Sequence, residues 1–122
     1  MIFERVGEIE EVNCVNSSAK ISNNKKQLVI NIPNMYKMGA YAIFPVTIKN
    51  VGNIPARLES ISEHGLNHEA ISITYDGIGI TDNVLYPGIE KMFTVKVMWE
   101  NELWYGKVNY NFLIKFNYEQ AN

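Results

Sequence analysis

With 122 residues, 47% of them apolar and 20% charged, the chain has the length of one ordinary domain and enough apolar content to bury a core, which excludes a disordered segment. A net charge of −2 with no basic block argues against nucleic acid as the main partner, and no apolar run approaches the roughly 18–20 residues that span a bilayer. The single cysteine, Cys14, rules out an internal disulfide and a thiolate zinc cluster.

The chain opens on an arm, residues 1–17. Glu4, Glu8, Glu10 and Glu11 outweigh Arg5 there, so the segment lacks the basic start and apolar block of a secretory signal. Its apolar residues Ile2, Phe3, Val6, Ile9, Val12 and Val15 are spaced mostly by three. That spacing matches neither the period of two of a strand nor the period of about 3.6 of a long helix. Three readings stay open for the arm, an edge strand of its own domain, a donor strand for a neighbouring subunit or a loose tail, and Ile2, Phe3, Val6 and Ile9 are its candidate partner-binding residues.

From residue 18 to 122 the period is two. Leu28, Ile30 and Ile32 alternate with polar neighbours, then Phe44, Val46 and Ile48, then the segment from Ile54 to Ile61, then Ile71, Ile73 and Tyr75. Phe93, Val95, Val97 and Trp99 follow, and the chain closes on "VNYNFLIKFNY", with Val108, Tyr110, Phe112, Ile114, Phe116 and Tyr118 on one face. Each run reads as a half-buried antiparallel strand. Between them lie "SNNKK", "NMYKMG", "NVGN", "YDGIG", "TDN" and "YPG", whose Gly, Pro, Asn and Asp supply turn dihedrals. One pattern recurs: "YKMGAYAIF" and "YPGIEKMF" each place a glycine after a tyrosine and a phenylalanine five residues beyond that glycine. Both predict a tight turn feeding a strand with an aromatic first core residue. About seven or more antiparallel strands with this punctuation predict an all-β, immunoglobulin-like or jelly-roll β-sandwich, with a small closed barrel as the alternative.

Three stretches hold residue types that carry chemistry. "SEHGLNHEA" (62–70) contains both histidines, His64 and His68, beside Glu63 and Glu69. The helical zinc motif needs a histidine, a glutamate and a second histidine three residues on, but His68 and Glu69 are followed by Ala70, Ile71 and Ser72. Gly65 and Asn67 favour a turn, so the stretch predicts an exposed connection between strands, with His64 and His68 as weak metal candidates. "YDGIGITDN" (75–83) offers Asp76 and Asp82 as oxygen ligands for calcium, without the spacing of an EF-hand loop. In "WENELWYG" (99–106), Trp99 keeps phase with Phe93, Val95 and Val97 and belongs to the core. Trp104 and Tyr105 fall near a hairpin end, where exposed rings stack on sugars or meet a protein partner. No stretch combines nucleophile, base and orienting group, so neither catalytic residues nor a cofactor are predicted.

The run "LVINIPNMYKMGAYAIFPVTIKNVGNIPARLESI", followed by "LYPGIEKMFTVKVMW", resembles the TasA/camelysin-like family of secreted bacterial surface or filament proteins and their archaeal relatives. The resemblance spans roughly residues 18–118. It implies an extracellular or cell-surface sandwich that acts as a non-enzymatic structural subunit. It also implies self-association into an oligomer or fibre, in which the N-terminal segment of one subunit completes the sheet of its neighbour, and contact with other surface proteins or glycans. Two other readings stand beside it: a secreted metal-dependent peptidase of the camelysin type using the His64/His68 region, and an accessory module binding carbohydrate or a partner through Trp104 and Tyr105.

Overall fold

The computed structural model describes residues 1–65, 71–77, 84–100 and 108–120. Among these residues eleven strands run in chain order: β1 (Ile2–Val6), β2 (Glu10–Val12), β3 (Cys14–Val15), β4 (Ser18–Ile21), β5 (Gln27–Met35), β6 (Tyr41–Lys49), β7 (Ala56–His64), β8 (Ile71–Asp76), β9 (Val84–Leu85), β10 (Glu90–Trp99) and β11 (Val108–Gln120). They form two antiparallel sheets. The first has the order β1-β6-β10-β8, with β2 also on β6. The second has the order β3-β5-β11-β7-β9, with β4 also on β5. The molecule is therefore the all-β sandwich its alternation predicted. No helix among the described residues is long and apolar enough to cross a membrane.

The alternating residues meet between the sheets. Leu28, Ile30, Ile32, Phe44, Val46, Val95, Val97 and Ile114 are fully buried, and Trp99 joins them at 4% exposure. Three rings stitch the layers together. Phe116 of the second sheet lies 5.1 Å from Phe3 and 5.2 Å from Phe93 of the first, all at tilted angles. Tilted pairs of this kind set the positive edge of one ring against the negative face of the next.

The two glycine turns feed the two central strands of the first sheet. Ala40 N–H donates to Lys37 O, and Ile89 N–H donates to Tyr86 O, closing four-residue turns with Gly39 (φ 89°) and Gly88 (φ 80°) in third place. A positive φ at that position is the type II turn, which glycine enters without a steric penalty, and Pro87 fits the position before it. Five residues after each glycine, Phe44 and Phe93 are buried. β6 and β10 then pair antiparallel, with Val95 opposite Phe44 and Phe93 opposite Val46. The two turns thus sit at opposite ends of the sandwich.

The connection predicted over residues 62–70 begins later than expected. β7 continues through Ser62, Glu63 and His64, which pair with Lys115, Ile114 and Leu113 of β11. The backbone turns only at Gly65 (φ 91°). Main-chain pairing with the long β11 overrides the weak strand preference of Ser-Glu-His.

Candidate functional site

The first candidate region is the arm. β1 and β2 lie along the same side of β6, opposite Lys49–Val46 and Ile43–Tyr41. β3 and β4 lie along β5, opposite Met35–Asn34 and Asn31–Leu28. Residues 2–21 therefore supply the outer strand of both sheets on one side of the sandwich. Two breaks in the arm have local causes. Pro45 has no N–H to offer, and opposite it β1 stops. Gly7 N–H still donates to Pro45 O at 2.8 Å, and a Cβ on Gly7 would come within 3.3 Å of the Pro45 side chain. The chain then crosses from one sheet to the other at Asn13 (φ 55°), and Asn16 (φ 62°) separates β3 from β4 along β5; both lie in the left-handed region that asparagine tolerates better than most residues.

Of the arm's predicted partner-binding residues, Phe3 is 3% exposed in the chain's own core, and Val6 and Ile9 are partly buried against it. Ile2 is half-buried opposite Lys49. Arg5 forms a two-pronged pair with Glu90 at 3.2 and 3.1 Å. That contact raises the guanidinium and lowers the carboxyl relative to their ordinary values. Where the arm begins, Tyr118 Oη and Lys26 Nζ both donate to Met1 O, at 2.9 and 3.1 Å. Cys14 is buried, its thiol donating to Tyr41 O at 3.1 Å, and burial pushes that thiol up.

The second region is the opposite side, where β7 and β8 are the outer long strands. β9 covers β7 only at Ala56 and Arg57. Among the described residues, no strand lies on the outer side of β8. The two sheets are bridged here by Tyr75, whose hydroxyl donates to Glu63 Oε2 at 3.1 Å. Burial first, and then the Glu63 charge and hydrogen bond, hold the Tyr75 hydroxyl well above its ordinary value. His64 is exposed opposite Leu113, and Asp76 is exposed opposite Thr94. His68, Asp82, Trp104 and Tyr105 lie outside the described residues. No group of three or more His, Cys, Asp or Glu among the described residues is placed to hold a metal ion.

A third region was not singled out by its residue types. Asn50, at the end of β6, is 2% exposed and uses all of its polar groups. Its Nδ2 donates to Ile54 O (2.8 Å) and Leu85 O (2.9 Å), and its Oδ1 accepts from Gly52 N–H (2.9 Å). Its main chain pairs with Ile89 O and Gly88 N–H. Side chain and main chain of this one residue thus lock the loop after β6 to β9 and to the turn before β10. Buried polar groups are costly unless paired, which explains why the position needs a side chain with both donors and an acceptor. The clamp holds Val51, Ile54, Tyr86 and Ile89 in the open, each 45% exposed or more. A groove of about 210 Å³ opens beside it against Ile54, Pro55, Ala56 and Tyr118. The signal in the sequence was an asparagine ending an apolar strand two residues before a glycine.

Comparison with known proteins adds no relative: no family model, no curated protein and no solved structure matches the chain.

Proposed function

We propose that the chain is a non-enzymatic structural subunit of an extracellular surface or filament, assembling through the edges of its β-strands. What carries the reading is the arm, whose strands β1, β2 and β3 attach to the sandwich as added outer strands on both sheets, through main-chain pairing to β6 and β5. A strand held by edge pairing and a few core anchors is the kind of element one subunit can lend to another, because a second copy offers identical hydrogen bonds and an identical pocket for Phe3. In such an exchange the arm leaves its own β6 and β5 and lies on those of a neighbour. The resemblance of residues 18–118 to surface and filament proteins supports the same reading.

The test is size-exclusion chromatography with negative-stain microscopy, on the full chain and on the chain lacking residues 1–17. The full chain is expected to form oligomers or fibres. The shortened chain is expected to form none alone, and to bind an added peptide of residues 1–17. Monomers of the full chain under every condition would defeat the proposal.

A further inference from the structure

Exchange of the arm engages only the β5 and β6 side of the sandwich, and the four lateral edges differ in how they are guarded. Exposed edges invite pairing with foreign strands, and proteins blunt them with charge, proline, bulges or short length. The β1/β2 edge is broken opposite Pro45 and carries Glu4, Arg5, Glu8, Glu10 and Glu11. The β3/β4 edge consists of pieces of two and four residues, with Lys20 in the longer one. β7 carries Arg57, Glu59, Glu63 and His64, and is capped at one end by β9.

Among the described residues, β8 has none of these devices. "ISITYD" contains neither proline nor glycine, its register with β10 runs unbroken from Ile71 to Asp76, and its only charge is at its last residue. It is rich in β-branched residues, which suit a pleated strand. On its inner side, Ile73 and Tyr75 are only partly buried against the core.

Resting on the reading above, we infer that β8 is a docking edge and that its occupant is β8 of a second copy, paired antiparallel about a two-fold axis. The register is constrained. Residues facing each other across an antiparallel pair must lie on the same face, so the axis passes through a residue and not between two. An axis at Ile73 sets Ser72 against Thr74 and Ile71 against Tyr75. An axis at Thr74 sets Ser72 against Asp76, Ile73 against Tyr75 and Thr74 against itself. In both, hydroxyl or carboxyl groups meet on the outer face, apolar groups meet on the inner face, and no like charges are opposed. The first sheet of one copy then continues into the first sheet of the next, and the half-covered Ile73 and Tyr75 are covered by their counterparts.

The experiment uses the full chain. Ser72→Glu with Thr74→Glu opposes glutamates in either register. Within one copy it is tolerated, because Thr74 lies opposite Lys96 of β10. Sedimentation across a concentration series is expected to show weaker self-association for the double variant by about tenfold or more, since like charges directly opposite are destabilising. Independently, Thr74→Cys alone, or Ser72→Cys and Thr74→Cys chains mixed, are expected to cross-link under mild oxidation, whereas a Glu59→Cys control is not; the native Cys14 is buried and out of reach. If the wild type associates while the double variant associates equally and no β8 cysteine cross-links, the β8 edge is overturned and assembly by the arm stands. A wild type that stays monomeric overturns both.

Discussion

The two lateral sides of the sandwich are closed by different means. On one side, four short strands pair along both sheets and drive Phe3 and Cys14 into the core. On the other, β7 and β8 face each other as the outer long strands, with Ile61, Ile73 and Tyr75 partly buried and the Tyr75–Glu63 hydrogen bond across the gap. The arm side combines main-chain pairing with buried anchors, so its cohesion comes from burial. On the β7/β8 side Leu58 and Ile71 reach the core, while Ile61, Ile73 and Tyr75 stay only partly covered. Mutations on the two sides should therefore separate in size.

The largest effect is expected at Phe3→Ala. The ring is buried, touches Phe116, and has no way to collapse without moving the arm, so the loss is ~3–5 kcal/mol in chemical denaturation. A loss below ~1 kcal/mol would mean that the arm is only loosely seated, and the contrast between the sides would disappear.

On the opposite side, Ile73→Ala is expected to cost ~1–2 kcal/mol, because a half-covered side chain gives up less transfer free energy and leaves a gap that water can enter. A cost equal to that of Phe3→Ala would place a second core anchor on β8.

Tyr75→Phe comes next, at ~1 kcal/mol near neutral pH for one hydrogen bond to a carboxylate. Its pH dependence sharpens the comparison. The folded chain holds the Tyr75 proton more tightly than the unfolded chain, so the stabilisation is fully present below the ordinary tyrosine value of 10.0 and is lost as the pH rises above it. The wild type should lose more stability than Tyr75→Phe on going from neutral pH to above 10.0, measured by thermal melts of both chains.

How much of this was legible in the sequence follows from the range of the interactions. Alternation over three or more core positions exposed β5, β6, β10 and the core, because burial of one face repeats along a strand whatever its partners are. The paired glycine turns were legible because a positive φ demands glycine locally. The division of the arm into short strands on two sheets was not, since its spacing by three has no single physical source: Pro45 interrupts the first piece, Asn13 turns the chain from one sheet to the other, and no piece is long enough to show a period. Asn50 was missed for the opposite reason. Its partners Leu85, Gly88 and Ile89 lie far along the chain, and an isolated asparagine looks like any turn residue. The end of β7 was misjudged because pairing with β11, and not the composition of "SEH", decides it.

The smallest effect is expected at Arg5→Ala, although Arg5 makes the arm's most conspicuous side-chain contact. Both Arg5 and Glu90 are largely solvated, and an exposed ion pair gains little because water and salt already screen the charges that the two long side chains must be ordered to bring together. The depressed Glu90 carboxyl ties any contribution to pH: it is present above the ordinary glutamate range and fades as the pH falls and the carboxylate takes up a proton. If the arm is held by buried Phe3 and by main-chain pairing, denaturation midpoints of wild type and Arg5→Ala should coincide at low and high salt, and should stay together on acidification. If the arm is held by charge, the wild type alone weakens as salt is added or the pH is lowered, and the variant starts from that weakened state. The second result would move the anchor of the arm from the core to the surface and would make its release sensitive to ionic strength.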